Sequence, residues 1–358
     1  MRILYGVVGA GMGHATRSRV VVDHLVARGH QIVVVVSGGA YRMLLRHYAD
    51  TEVVTVREIA GLSAVYRDNA LCVGSTAVAF LDRALGRIAT NIGTYLQIAG
   101  PFHAVISDFE SWAAMFGLVH GIPVLSIDNM QVLHRCGHDP EVTDGDCLAF
   151  CIARAAVQAK VPGAHHYLVA SYFPAQVRKA RTTLVPPILR PEILAAHPKP
   201  GDHVLVYQSV WSSRLMEALW ALPYAFVAYG AGRGGQERNV TFRAFHEEGF
   251  VEDLRTARAV IAGGGFSLMS EAVHLGIPML AMPLEGQYEQ VLNARYLAKL
   301  GYGAWTRSLD GDTVASFLSE LPQYRRNLAD YPRRDNAMLL ARLDALLWEV
   351  ARPARRAA

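Results

Sequence analysis

Lysine is nearly absent from this chain. Of its 35 basic residues only Lys160, Lys179, Lys199 and Lys299 are lysine, and 31 acidic residues scattered among the basic ones leave a formal net charge of +4. The longest basic run is the short tail with Arg352, Arg355 and Arg356, so the footprint of a nucleic-acid binder is missing. Only weak attraction to anionic substrates or lipid surfaces is left by that balance. Cysteine is scarce too. Cys72, Cys136, Cys147 and Cys151 form no CxxC pair and follow no signal peptide, which excludes a disulfide framework and implies reduced thiols in a cytoplasm. His134 and His138 fall among these cysteines, but no pair there has structural-zinc spacing. No apolar run approaches the roughly 18 residues that span a bilayer, so a soluble protein, at most peripheral to a membrane, is expected.

Two signatures are approached and left incomplete. Arg2 to Val8 reads as a buried strand, followed by GAGMGHATRS and an alternating stretch, Val20 to Val26, that reads as a helix ending at Gly29. The glycines at 9, 11 and 13 suggest a dinucleotide turn, but the third glycine of G-x-G-x-x-G falls on His14. The next strand, Gln31 to Val36, ends in Ser37, so the acidic ribose partner of NAD is missing as well. A metal-binding D-x-D is equally doubtful: Asp144–Asp146 and Asp310–Asp312 follow no apolar strand and read as turns or helix starts. No resident cofactor or metal is expected.

What is present is a charge-poor chain, 18% charged and 52% hydrophobic, of 358 residues, which suits two domains rather than one. Strands at about Glu52–Val56, Ala104–Ser107 and Val124–Ile127 alternate with helical stretches, as in a parallel sheet. The richest stretch is Gly263 to Gly303. Ala259 to Ala262 reads as a buried strand that stops at three glycines, and Ser267 opens an amphipathic helix ending near Gly276 and Pro278. Free N–H groups at such a helix start favour a phosphate, and glycines let the backbone approach it. Glu271 shares a helix face with Ser267, one turn deeper, where a carboxylate can accept from ribose hydroxyls. A second short strand, Pro278 to Met282, leads to Glu289, Gln290 and Asn293 at the start of another helix.

This stretch resembles the donor-binding half of GT-B glycosyltransferases, and closely the bacterial group related to the peptidoglycan UDP-N-acetylglucosamine transferase and the UDP-glycosyltransferases. The glycine turn ending in His14 and the run ISDFESWAAMFGLVHGIPVLSIDN resemble the first half of the same group. The resemblance implies an α/β protein of two Rossmann-like doubly wound domains facing a cleft. Residues 1–185 would form the acceptor domain, 186–202 a Pro-bearing linker, 203–335 the nucleotide-sugar domain and 336–358 a helix crossing back. It implies that Gly264, Gly265 and Ser267 hold a diphosphate, Glu271 a ribose, and Glu289 with Gln290 the sugar. Ser209 would face the cleft, and backbone groups at Phe250 and Val251 would read the base. On the acceptor side, His14 would be the general base, with capping or positioning of acceptor or diphosphate as its alternatives. Asp108 would orient it or else cap the following helix. Gly11, Gly13, Glu110 and Asn129 are the remaining acceptor-side candidates.

The apolar region from Leu62 to Gly100, with LCVGSTAVAFLDRAL at its centre, fits core helix or, by the resemblance, an acceptor or membrane-facing patch. The implied activity is inverting, metal-independent transfer from a UDP-sugar, a hexose or N-acetylhexosamine, or a TDP-sugar. The acceptor would be a hydroxyl or amine of a small or lipid-linked molecule. A UDP-sugar 2-epimerase and a non-catalytic nucleotide-sugar-binding partner are the alternatives.

Overall fold

The computed structural model describes residues 1–9, 11–61, 66–67, 70–71, 84–98, 100–143, 145–199, 201–208 and 211–351. Ser209, Cys72, Asp144, the 72–83 part of the apolar region and the arginines of the tail lie outside the described residues.

Seven strands form the first sheet: β1 (Arg2–Val7), β2 (Gln31–Val36), β3 (Val54–Glu58), β4 (Ala104–Asp108), β5 (Val124–Asp128), β6 (His166–Ala170) and β7 (Thr182–Val185). Their order is β7-β6-β5-β4-β1-β2-β3, and every pairing is parallel. Because helices cover both faces, β1, β4 and β5 are buried almost end to end and read as continuous apolar runs rather than alternations.

The second sheet repeats the plan with β8 (His203–Tyr207), β9 (Ala225–Tyr229), β10 (Gly235–Glu237), β11 (Val240–Phe242), β12 (Ala259–Ala262), β13 (Met279–Ala281) and β14 (Gly303–Trp305). Its order is β10-β11-β9-β8-β12-β13-β14, parallel except where β10 meets β11. The short strands β10, β11 and β14 carry too little apolar pattern to have been read in the sequence.

In each sheet the chain runs outward to one side of a central strand and then returns to the other. The switch points lie between β1 and β4 and between β8 and β12, and the crevice beyond the carboxyl ends of such strands is where open α/β sheets bind ligands. The helices that leave these points are α1 (Met12–Ala27) and, after β12, a helix at Phe266–Leu275. Helix α1 begins at Met12, well before the apolar alternation at Val20, because its first turns bury polar side chains, Arg17, Ser18 and Arg19.

Four more helices frame the site: α2 (Ala84–Gln97), α3 (Ser111–Val119), α4 (Cys147–Lys160) and α5 (Glu247–Thr256). The Phe266–Leu275 helix is α6; it ends on Gly276 in the left-handed conformation, φ 72°. Helix α7 (Tyr288–Lys299) is held by the first domain: the Tyr172 hydroxyl donates to the Asn293 carbonyl at 2.5 Å, and Phe173 stacks on Tyr296 at 3.8 Å. Helix α8 (Ala337–Ala351) returns to the first domain, where Asp344 pairs with His24 and Arg28. Among the described residues no helix is long and apolar enough to cross a membrane.

Candidate active site in the interdomain cleft

The two switch points open on one cavity of about 270 Å³. From the first domain it is lined by Gly11, Gly13, His14, Arg17 and Asn129. From the linker and second domain come Arg190, Gln208, Phe250, Gly265, Ser267, Glu271, Glu289 and Gln290.

On the first side, α1 is capped by Gly11 (φ 88°) with no side-chain bond among the described residues, and its first turn lines the cavity. His14, one turn in, has 18% of its side chain exposed and places Nδ1 2.9 Å from Oδ1 of the buried Asp108. Arg17 grips the same carboxylate with Nε (2.9 Å to Oδ2) and Nη2, and the Ser18 hydroxyl adds a third donor at 2.9 Å. Burial pushes Asp108 upward, but Arg17 and His14 outweigh it and hold the group well below the ordinary carboxylate range. Burial and the Arg17 cation hold the His14 imidazole below its ordinary pKa, with Asp108 opposing. Arg17 Nη2 also lies 2.6 Å from His14 Nδ1. The two neighbours of Nδ1 pull in opposite directions: the Asp108 oxygen only accepts and favours a proton there, whereas the Arg17 guanidinium only donates and favours a lone pair there.

Asp108 caps no helix. The Ser107 hydroxyl ties the turn by donating to the Glu110 carbonyl (2.8 Å) and accepting from the Glu110 N–H (2.9 Å), and Phe109 between them takes φ 53°, a strained value for a side chain of its size. Glu110 is the cap of α3, accepting from the N–H groups of Trp112 and Ala113 at 2.9 and 2.6 Å. It does not line the interdomain cavity: both its oxygens meet orphan N–H groups of α3. Asn129 bridges the domains, accepting from Arg17 Nη1 (2.8 Å) and donating to Glu289 (2.6 Å).

On the second side, α6 is capped by Gly265, again with no side-chain bond. Gly265 and Ser267 line the cavity. Gly264 does not: its N–H donates to Gln290 Oε1 at 3.2 Å, and a side chain there would sit 2.4 Å from the Gln290 carbonyl oxygen. Its glycine serves packing against α7 rather than a phosphate. Gln290 also accepts from Leu284 N, and Glu289 accepts from both Asn129 and Asn293, so the pair expected at a sugar is also engaged in fixing the cleft wall. Burial pushes Glu289 up to about 6. Val251 is buried away from the cavity and Phe250 offers it a ring, not backbone. The Phe250 N–H is committed to the His246 carbonyl at 2.9 Å, as a helix interior demands, so backbone readout of a base from these two residues is corrected.

Three residues went unread in the sequence. Arg190, in the linker run PPILRPEI, forks onto Glu271 with two 2.8 Å bonds and reaches Glu247 at 3.3 Å. Burial lifts the Glu271 carboxyl above its ordinary value, with Arg190 opposing. Gln208, at the end of β8, is 3% exposed, lines the cavity, and has an amide nitrogen with no hydrogen-bond partner among the described residues. Arg17 could have been found, since it lies three residues after His14 on the same helix face; a lone linker arginine and a single glutamine carried no such signal. The histidines and cysteines between 134 and 151 go to separate places: His134 meets Lys179, His138 meets Tyr296, and Cys147 and Cys151 are exposed on α4. Among the described residues no three His, Cys, Asp or Glu side chains converge.

The fold of two Rossmann-like domains is shared with known proteins. The family model described as glycosyl transferase family 1 matches residues 1–322. The chain belongs to glycosyl transferase family 1. An uncharacterized glycosyltransferase of Methanosarcina acetivorans is 34% identical over 114 residues, 32% of this chain and 28% of that protein. One of Methanosarcina mazei is 40% identical over 90 residues, 25% of this chain and 22% of that protein. The matched stretch thus spans about a quarter of these curated relatives. Among solved structures, LpCGTa in complex with UDP superposes with a TM-score of 0.68 at 15% identity, covering 98% of this chain and 99% of that one. The glycotransferase of kitacinnamycin gives a TM-score of 0.65 at 19% identity, covering 98% of both chains. The fold is GT-B.

Proposed function

We propose that this glycosyl transferase family 1 member moves a sugar from a nucleoside diphosphate sugar, a UDP-hexose or UDP-N-acetylhexosamine, to an acceptor hydroxyl or amine with inversion and without a metal. The observation that carries the reading is the meeting across one cavity of two helix starts with no capping side chain, the Arg190 guanidinium and the Gln208 amide, which has no partner among the described residues. All are donors or positive ends, as a departing diphosphate requires. His14 Nε2 takes the proton from the acceptor, whose oxygen or nitrogen forms the new bond to C1 as the C1–O bond breaks and the nucleoside diphosphate leaves. Asp108 holds the imidazole tautomer. Glu271 accepts from the ribose. Positive groups of the protein cover the developing charge, the work a metal does elsewhere. Support for UDP comes from LpCGTa, solved with UDP, and from a UDP-glucosyltransferase of Polygonum tinctorium of the same fold, TM-score 0.67 at 15% identity.

The test is thermal stabilisation by UDP, TDP, GDP and NAD without magnesium, followed by product analysis with the natural protein and His14→Ala. A ligand at a hundredfold excess over its Kd stabilises by about 2.7 kcal/mol. A pyrimidine diphosphate is expected to shift the melt, and His14→Ala to keep that shift while losing turnover about a thousandfold. Stabilisation by NAD alone, or full turnover in His14→Ala, would end the reading. An epimerised donor in place of a new glycoside would transfer the site to the epimerase alternative.

A further inference from the structure

A row of charges runs beside the interdomain cavity from the second domain to the first. Glu271 of α6 is forked by Arg190 of the linker, whose Nε and Nη2 each lie 2.8 Å from a carboxylate oxygen. The remaining terminal nitrogen of that guanidinium, Nη1, reaches Oε1 of Glu247, the first residue of α5, at 3.3 Å. Glu247 is itself forked by Arg19 of α1 with two bonds of 2.9 Å, and Arg19 Nη2 reaches Glu192 of the linker at 3.2 Å. Three carboxylates thus alternate with two guanidiniums. Asp23, one turn along α1, also acts on Arg19 and is bonded to the Tyr48 hydroxyl at 2.7 Å. Of the five, only Arg190 and Glu271 line the cavity.

Glu247 is where this row can be tipped. Its bonds to Arg19 are two and short, and its bond to Arg190 is single and long, so the carboxylate belongs mainly to the first domain although its own helix belongs to the second. Burial pushes its pKa up, but Arg19 and then Arg190 hold it below the ordinary value, which keeps it ionised at neutral pH. Both cations are nearly buried, Arg19 at 8% and Arg190 at 5% exposure, where salt screens them less. Without Arg19, Glu247 keeps Arg190 as its one ion-pair partner among the described residues. A guanidinium that alone faces two carboxylates has less positive potential to offer an anion in the cavity.

We propose that Arg19 and Glu247 are positioning residues for the nucleotide: Arg19, on the helix that carries His14, draws Glu247 away from Arg190 and so leaves the Arg190 charge available to the diphosphate. This rests on the transferase reading above, in which Arg190 meets the diphosphate. Donor affinity is then set in part by a charge of the opposite domain that does not line the cavity. Moving α1 away from α5 would return Glu247 to Arg190 and loosen the nucleotide, so separation of the domains and release of the nucleoside diphosphate are linked.

The signs of the effects separate this role from that of a brace. UDP, uridine and inorganic pyrophosphate are titrated by calorimetry into the natural chain and into Arg19→Met, Arg19→Lys, Glu247→Gln and the double variant Arg19→Met/Glu247→Gln. Arg19→Met is expected to weaken UDP and pyrophosphate about fivefold, the lower end of coupling between two sites. Glu247→Gln removes the competing carboxylate and should tighten both by about as much. The double variant should return near the natural affinity, Arg19→Lys should fall between Arg19→Met and the natural chain, and uridine, which carries no phosphate, should be indifferent throughout. Weakening by both single variants, a loss shared by uridine, or unchanged affinities overturns the proposal. A urea melt beside each titration shows whether the variant is folded; should Arg19→Met not fold, the sign of the change in Glu247→Gln decides alone. Pyrophosphate that follows the expected signs while UDP gives no heat with the natural chain is the signature of failure of the transferase reading alone. Binding of neither overturns both.

Discussion

The two domains meet helix start to helix start, and the two starts are built alike for only one turn. In both, a buried strand gives way to glycine, the helix begins with no capping side chain, and its first turn lines the same cavity. They come so close that a side chain on Gly13 of α1 would lie 2.6 Å from the Ser267 hydroxyl of α6. One turn further in they part. In α1, Arg17 and Ser18 close on Asp108 within their own domain, so the charges there are matched before any ligand arrives. In α6, Glu271 finds its cation in the linker, and that cation, Arg190, stands on the cavity wall and shares itself with Glu247, which Arg19 of the first domain also holds. The same supersecondary unit thus serves once to fix a titratable ring within its own domain and once to hold a linker cation on the cavity wall.

The largest effect should come from breaking the closed network. Arg17→Met leaves Asp108 buried and short of its main partner, a loss of about 3–5 kcal/mol in a urea melt. It also changes the pH dependence. The folded pKa of His14 lies below its unfolded value, so the stability it contributes is present above the unfolded value and lost as pH falls through the folded one. Without Arg17 the folded value rises, because Asp108 still favours imidazolium. The acid limb of turnover should therefore move to higher pH, whereas Arg17→Lys should retain most of the original limb. An unmoved limb would show that Arg17 is scaffold only, and would erase the contrast between the two helices.

The corresponding change on the other side should be milder for folding and harsher for ligand. Arg190→Met strands Glu271, but that carboxylate lines the open cavity and water can reach its surroundings, so about 1–3 kcal/mol is expected. UDP affinity, read by calorimetry, should fall about tenfold or more, since one charge-assisted contact to the diphosphate is lost. If stability falls as far as in Arg17→Met and UDP affinity is untouched, the Arg190–Glu271 pair is a structural brace like its counterpart.

How much of this was legible follows the same division. Both sheets could be read because parallel strands covered on two faces become unbroken apolar runs, and both helix starts because strand, glycine and helix follow at once in the chain. His14 was readable as the residue that ends a glycine turn at a helix start, and Asp108 as a strand-end residue, one at each side of a switch point. What stayed hidden depends on distance along the chain: Arg190 meets Glu271 across 81 residues, and Asn129 meets Glu289 across 160. No local pattern encodes such meetings. Gly264 and Val251 were expected at the ligand by resemblance; Gly264 instead packs against Gln290 just before α6, and Val251 lies on the buried side of α5, a helix turning neighbours by about 100°.

The smallest effect tests the contact that joins the two helices. Gly13→Ala should gain part of the roughly 1 kcal/mol by which alanine exceeds glycine in a helix. Against that stands a new methyl 2.6 Å from the Ser267 hydroxyl and 2.9 Å from its Cβ, closer than atoms pack, so one helix must give way. The net change in the natural background is expected to be a loss of about 1 kcal/mol. Ser267→Gly removes both obstructing atoms, and in that background Gly13→Ala should turn stabilising. The double-mutant cycle then yields a coupling of about 1–2 kcal/mol between residues of different domains. Additive changes would mean that the helix starts stand apart in solution, and that the cleft closes on its ligand rather than waiting for it closed.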